Sequence, residues 1–175
     1  PELLTIGYVA MQEVHRRPCN EAPAGEIHQN LCLVAHTCRW VSAVGGCWGG
    51  TMDCVDTTDR CPLCTNSASD GFDYRWNDYL PLAVNRFILE KDYWDGVFFD
   101  NAGTGTWDGS LPCDAKITKL TSEYAGVLNK YVAVNSTFDN HNPHARFANV
   151  SLSEDFPEAP ISLGIGDWVW NWRYS

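Results

Sequence analysis

The residues best suited to chemistry in this 175-residue chain each follow a short apolar run. Asp100-Asn101 closes Gly96-Val97-Phe98-Phe99, Asn135 closes Tyr131-Val132-Ala133-Val134, and Glu154-Asp155 follows Ala148-Asn149-Val150-Ser151-Leu152-Ser153. The run before Asp100 is made of β-formers, is too short for a helix and lacks the alternation of a half-solvated strand. It therefore reads as a strand buried on both faces. Ligands of α/β folds bind outside the carboxyl ends of the strands, so carboxylates and amides placed there are candidate reacting groups. Two opposed carboxylates are the equipment of glycoside hydrolysis, one protonated to help the leaving oxygen depart and the other ionised as nucleophile or base. Asp100 facing Glu154 or Asp155 across a cleft would be such a pair. The plain alternative for Asp100 is a turn cap. No distance between the two acids follows from sequence, so a retaining and an inverting course both stay open.

Those positions need elements to hold them. Leu3 to Ala10 reads as a first strand, with Gly7 allowing the close approach of a neighbour, and it delivers Gln12, Glu13 and His15 to the same rim as Asp100 if the strands run parallel. Trp76, Leu80, Val84, Phe87 and Ile88 form one stripe at helical spacing, with Asn77 or Asp78 as N-cap and Pro81 tolerable only in the first turn. After Asp100 comes a loop with Trp107. A second helix follows, capped by Asp114 and carrying Ile117, Leu120, Tyr124 and Leu128. The order helix, strand, helix, strand is that of a parallel sheet with crossover helices. In the tail from Ile161 to Trp172, the alternation of Trp168, Trp170 and Trp172 puts three rings on one face of a further strand.

The segment 16–73 shows no sustained period and holds seven of the eight cysteines, Cys19, Cys32, Cys38, Cys47, Cys54, Cys61 and Cys64; Cys113 is the eighth. An even count favours four disulfides in an oxidising compartment, with 16–73 as a cysteine-rich insertion in a single domain spanning 1–175. The pairing stays open. Cys61-Pro62-Leu63-Cys64 could be drawn into a zinc site with Cys54 and Cys47 or His36, but the spacing does not repeat as paired knuckles, and disulfides are expected instead. Asp139, His141 and His144 flank Asn142-Pro143, which breaks any helix that would align the two imidazoles, so no metal site and no cofactor are expected.

A net charge of −10 argues against nucleic acid and anionic membrane surfaces as partners. No apolar stretch approaches the ~20 residues that span a bilayer. The start at Pro1 suggests a processed or partly observed product. Asn135-Ser136-Thr137 and Asn149-Val150-Ser151 are glycosylation sequons compatible with a secreted, extracellular protein. A glycan on Asn135 would exclude that residue from an inward-facing site. Among the eight tryptophans, most belong to a core, and a surplus suits stacking on sugar rings, with Trp94, Trp107 and Trp168 as candidates.

Asp95-Gly96-Val97-Phe98-Phe99-Asp100-Asn101, followed by Val134-Asn135-Ser136 and Ser153-Glu154-Asp155-Phe156, resembles glycoside hydrolase family 114 and related glycosidase-like barrels. The resemblance covers Trp76 to Phe156. It implies a parallel (β/α) barrel of TIM type acting on polysaccharide, with Asp100 and Glu154 as the carboxylate pair and Asn101 and Asn135 as sugar-contacting neighbours. Only four to six strands are countable, so the barrel is expected to be partial or truncated. An incomplete barrel leaves edges to cover, and the alternative function is a non-enzymatic extracellular structural or carbohydrate-binding glycoprotein that self-associates. A small metal-dependent hydrolase using Asp100, Asp139 and the histidines is a third reading.

Overall fold

The computed structural model describes residues 3–22, 26–41, 51–57, 63–65, 73–102, 114–135, 147–153 and 168–169. Its frame is a parallel sheet of β1 (Ile6–Ala10), β6 (Gly96–Asp100), β7 (Tyr131–Asn135), β8 (Val150–Ser153) and β9 (Trp168–Val169), hydrogen-bonded in that order. Two small antiparallel pairs join β2 (Glu13–His15) to β3 (Met52–Cys54) and β4 (Cys64–Thr65) to β5 (Asp73–Tyr74). The helices are α1 (Glu26–Thr37), α2 (Trp76–Val84), which runs on as a π-turn over Asn85–Leu89, and α3 (Asp114–Val127).

Register assigns each strand residue to a face. Tyr8 pairs with Phe98 and Ala10 with Asp100 on one side, and Phe98 pairs with Ala133 on the other. Because side chains alternate along a strand, Tyr8, Phe98, Asp100, Ala133 and Asn135 share one face. Val9, Val97, Phe99, Val132 and Val134 take the opposite face and are fully buried in the core with Leu80, Val84, Ile88 and Ile117 of the helical layer. The face carrying Asp100 is more open. Tyr8 is 50% exposed and Tyr131 44%, and Phe98 is half-buried. The strand read as buried on both faces is thus buried fully on one.

Two glycines permit this packing. A Cβ on Gly96 would collide with the carbonyl of Tyr131 on β7, and one on Gly7 would meet the Ile88 side chain at 2.9 Å. The first obstacle is backbone and cannot move aside. The second is the π-turn pressing onto β1, the close approach expected at Gly7.

The TIM-type barrel is corrected. Among the described residues β1 and β9 are the outer strands of an open sheet, with no pairing that closes it. Closure takes about eight strands, whereas this sheet joins five among the described residues. Helix–strand alternation dictates parallel pairing but carries no information on closure, which the resemblance alone implied.

The segment 16–73 is also more regular than its cysteines suggested, because it contains α1. Ile27, Leu31 and Ala35 recur every four residues along its buried face, together with Cys32. Cys19–Cys32 ties the preceding turn to this helix and Cys38–Cys64 ties its C-terminal end to β4. Cys54 is disulfide-bonded as well. Oxidised Cys54 and Cys64 cannot serve as thiolate ligands, which removes the zinc arrangement drawn from them. Cys47, Cys61 and Cys113 lie outside the described residues. At α2 the helix begins one residue before the expected caps. Asp78 accepts from the Arg75 N–H at 3.3 Å, and Pro81 lies beyond the first turn.

Candidate functional site

The end of β6 is fixed before any side chain acts. Met11 N–H donates to the Asp100 carbonyl at 2.9 Å, extending the β1–β6 pairing. Trp76 Nε1 donates to the Met11 carbonyl at 2.9 Å in the buried core, and the Trp76 ring meets Trp40 edge-on with centroids 6.0 Å apart. Tryptophan here stiffens the scaffold under the site. Past Asp100 the chain turns at Asn101, which holds φ at 57°, a left-handed conformation that asparagine tolerates better than most residues.

Among the described residues the Asp100 carboxylate accepts three hydrogen bonds. Tyr8 Oη donates to Oδ2 at 2.7 Å, while Asn135 Nδ2 and the Asn101 backbone N–H each donate to Oδ1 at 2.9 Å. Three parallel strands therefore converge on one carboxyl group. Asn135 is 5% exposed, so its amide is a fixed part of the rim. Donors on both oxygens lock the carboxylate's orientation, and each such bond to a charged acceptor is stronger than a neutral one.

Tyr8 is the residue that sequence reasoning missed. Its hydroxyl is pushed well above the ordinary phenol range by partial burial, by its hydrogen bond to Asp100, and by the negative charges of Asp100 and Glu13. It stays a protonated donor. Glu13 starts β2 just after the β1 turn, is 7% exposed, and its negative charge adds to that of Asp100 at the Tyr8 hydroxyl. Behind Tyr8, His28 of α1 stacks on the phenol ring with centroids 6.4 Å apart and planes at 19°. Its Nε2 lies 3.1 Å from the Tyr8 carbonyl oxygen. A carbonyl only accepts, so Nε2 carries the proton. Burial lowers the His28 pKa, opposed by that hydrogen bond, and the imidazole is held neutral.

Phe98 lies beside Tyr8 on the same face, ring centroids 6.1 Å apart and tilted by 41°. Rings next to a carboxylate and an amide match a sugar, which offers hydroxyls to polar groups and an apolar C–H face to an aromatic. Trp94 does not join them. It precedes β6, paired with Tyr93 at 5.5 Å, at the opposite end of the strand and roughly 20 Å from Asp100 at the strand rise per residue. Glu154 and Trp107, the side chain of Trp168, and Asp139, His141 and His144 lie outside the described residues. Among the described residues no three His, Cys, Asp or Glu side chains are grouped to hold a metal ion, and His36 instead lies 3.6 Å from Asp53, which also pairs with Arg16 at 2.7 Å. No helix among them is long and apolar enough to cross a membrane.

No protein-family model, curated protein or solved structure matches this chain.

Proposed function

We propose that the strand-end site binds polysaccharide and acts on it in the manner of a glycoside hydrolase, with Asp100 as its central carboxylate. The observation that carries this reading is the convergence of Tyr8, Asn135 and the Asn101 N–H on Asp100 beside the half-exposed Tyr8 ring and the half-buried Phe98 ring. Asp100, with its orientation locked, serves as nucleophile, base or hydroxyl acceptor, and Tyr8 and Phe98 offer the flat surface for a sugar. Glu13, buried at the start of β2 just past the β1 turn, and Glu154 are the two candidates for the second carboxylate that hydrolysis needs. The motif likeness of Asp95 to Asn101 to glycoside hydrolase family 114 supports the same substrate class without extending to a closed barrel.

The test is hydrolysis of a polysaccharide panel by the wild type, Glu13→Gln and Glu154→Gln, with circular dichroism to verify folding. A loss of at least about 100-fold in rate in Glu13→Gln with activity retained in Glu154→Gln assigns the role to Glu13; the reverse result assigns it to Glu154.

The exposure of Tyr8 and Tyr131 on the open sheet face also favours a second reading, a non-enzymatic extracellular carbohydrate-binding protein that associates through that face. Native mass spectrometry showing large assemblies, with no sugar released from the panel, would select it.

A further inference from the structure

We infer that Asn149, and not Asn135, carries an N-linked glycan when this chain is made in a glycosylating secretory pathway. The cystines Cys19–Cys32 and Cys38–Cys64 point to such an oxidising route, and both asparagines sit in an N-x-[ST] sequence. Their surroundings differ in the one atom that matters. The sugar is joined to Nδ2: a bond forms between that nitrogen and the sugar C1, the C1–oxygen bond to a lipid-diphosphate donor breaks, and the amide gives up one proton. Oδ1 is untouched.

At Asn149 the described residues use the side-chain atom that glycosylation spares. Asn149 Oδ1 accepts from the Val132 N–H at 2.8 Å, and the Asn149 N–H donates to the Val132 carbonyl at 2.8 Å, so the residue continues the β7–β8 ladder through its side-chain oxygen. The residue is exposed. A glycan leaves both bonds in place and projects about 10 Å along the sheet from the Asp100 rim, since Val132 is three positions before Asn135. At Asn135 the situation is inverted. Nδ2 is the atom in use, donating to Asp100 at 2.9 Å, and the residue is 5% exposed. A sugar there has no room, and a chain glycosylated at Asn135 before folding could not form the rim.

The experiment is secretion from a eukaryotic host, followed by intact mass with and without peptide-N-glycosidase and by peptide mapping. The expected result is one occupied site, read as conversion of Asn149 to aspartate on deglycosylation. Asn149→Gln removes the mass difference and Asn135→Gln leaves it unchanged. Ser151→Ala abolishes the sequon without altering the Asn149 side chain, so it separates loss of the glycan from loss of the β7–β8 contact, and it too is expected to remove the mass difference. A glycan on Asn135 in folded, secreted protein, or an unmodified Asn149 in it, overturns the inference.

Discussion

The Tyr8 hydroxyl donates to Asp100 Oδ2 over 2.7 Å, joining residues 92 positions apart on neighbouring parallel strands. Its raised pKa makes this a proton-linked contact. A phenol held protonated in the fold stabilises it fully below the unfolded-state value of 10.0, and that stability is lost as pH climbs through the higher folded value. Tyr8→Phe should therefore lower stability by about 1 kcal/mol at neutral pH. The deficit should shrink above pH 10, as read from urea unfolding at a series of pH values.

His28 titrates with the opposite sign. Its folded pKa lies below the ordinary 6.5, so its contribution is present above that value and is lost as pH falls through the lowered one, when a charge must form in a buried place. His28→Gln should flatten the acid limb of a thermal-unfolding profile below pH 6.5. An unchanged acid limb would exclude His28 as its source.

Asn135→Asp keeps the shape of the side chain but replaces the donor to Asp100 with a second carboxylate at 2.9 Å. Like charges at that distance cannot both ionise without cost. The variant should be less stable than the wild type by about 1–3 kcal/mol at neutral pH, and the gap should narrow in acid, where a shared proton restores the hydrogen bond. Differential scanning calorimetry at two pH values reads both effects.

Gly96→Ala drives a methyl group into the Tyr131 carbonyl. The neighbouring strand must shift, at a cost of about 1–3 kcal/mol. The equivalent change at Gly7 meets only the flexible end of Ile88 and should cost less. Urea midpoints of the two variants check the order.

Parts of this arrangement were legible in the chain. A short apolar run ending in Asp100-Asn101 marks a buried strand and its rim, and the helix–strand alternation from Trp76 to Asn135 dictates parallel neighbours, which is why Asp100 and Asn135 end side by side. Helix α1 was obscured because its buried stripe of Ile27, Leu31 and Ala35 is interleaved with His28, Gln29 and Asn30. The cysteines around it read as loop. Tyr8 carries no local sign of its role, since its partner is set by β1–β6 register across 92 residues. Trp94 was misleading for the converse reason: nearness in sequence to Asp100 along an extended strand means distance in space. Barrel closure depends on strand number and stagger, which neither periodicity nor composition encodes.

The most direct test of Asp100 as the centre of the site is release of reducing sugar from a polysaccharide panel by the wild type and by Asp100→Asn, measured on samples with matching circular dichroism. The wild type should cleave at least one polysaccharide, and Asp100→Asn should cleave it at least about 100-fold more slowly. Equal rates for the two proteins, or no release by the wild type from any member of the panel, would contradict the assignment.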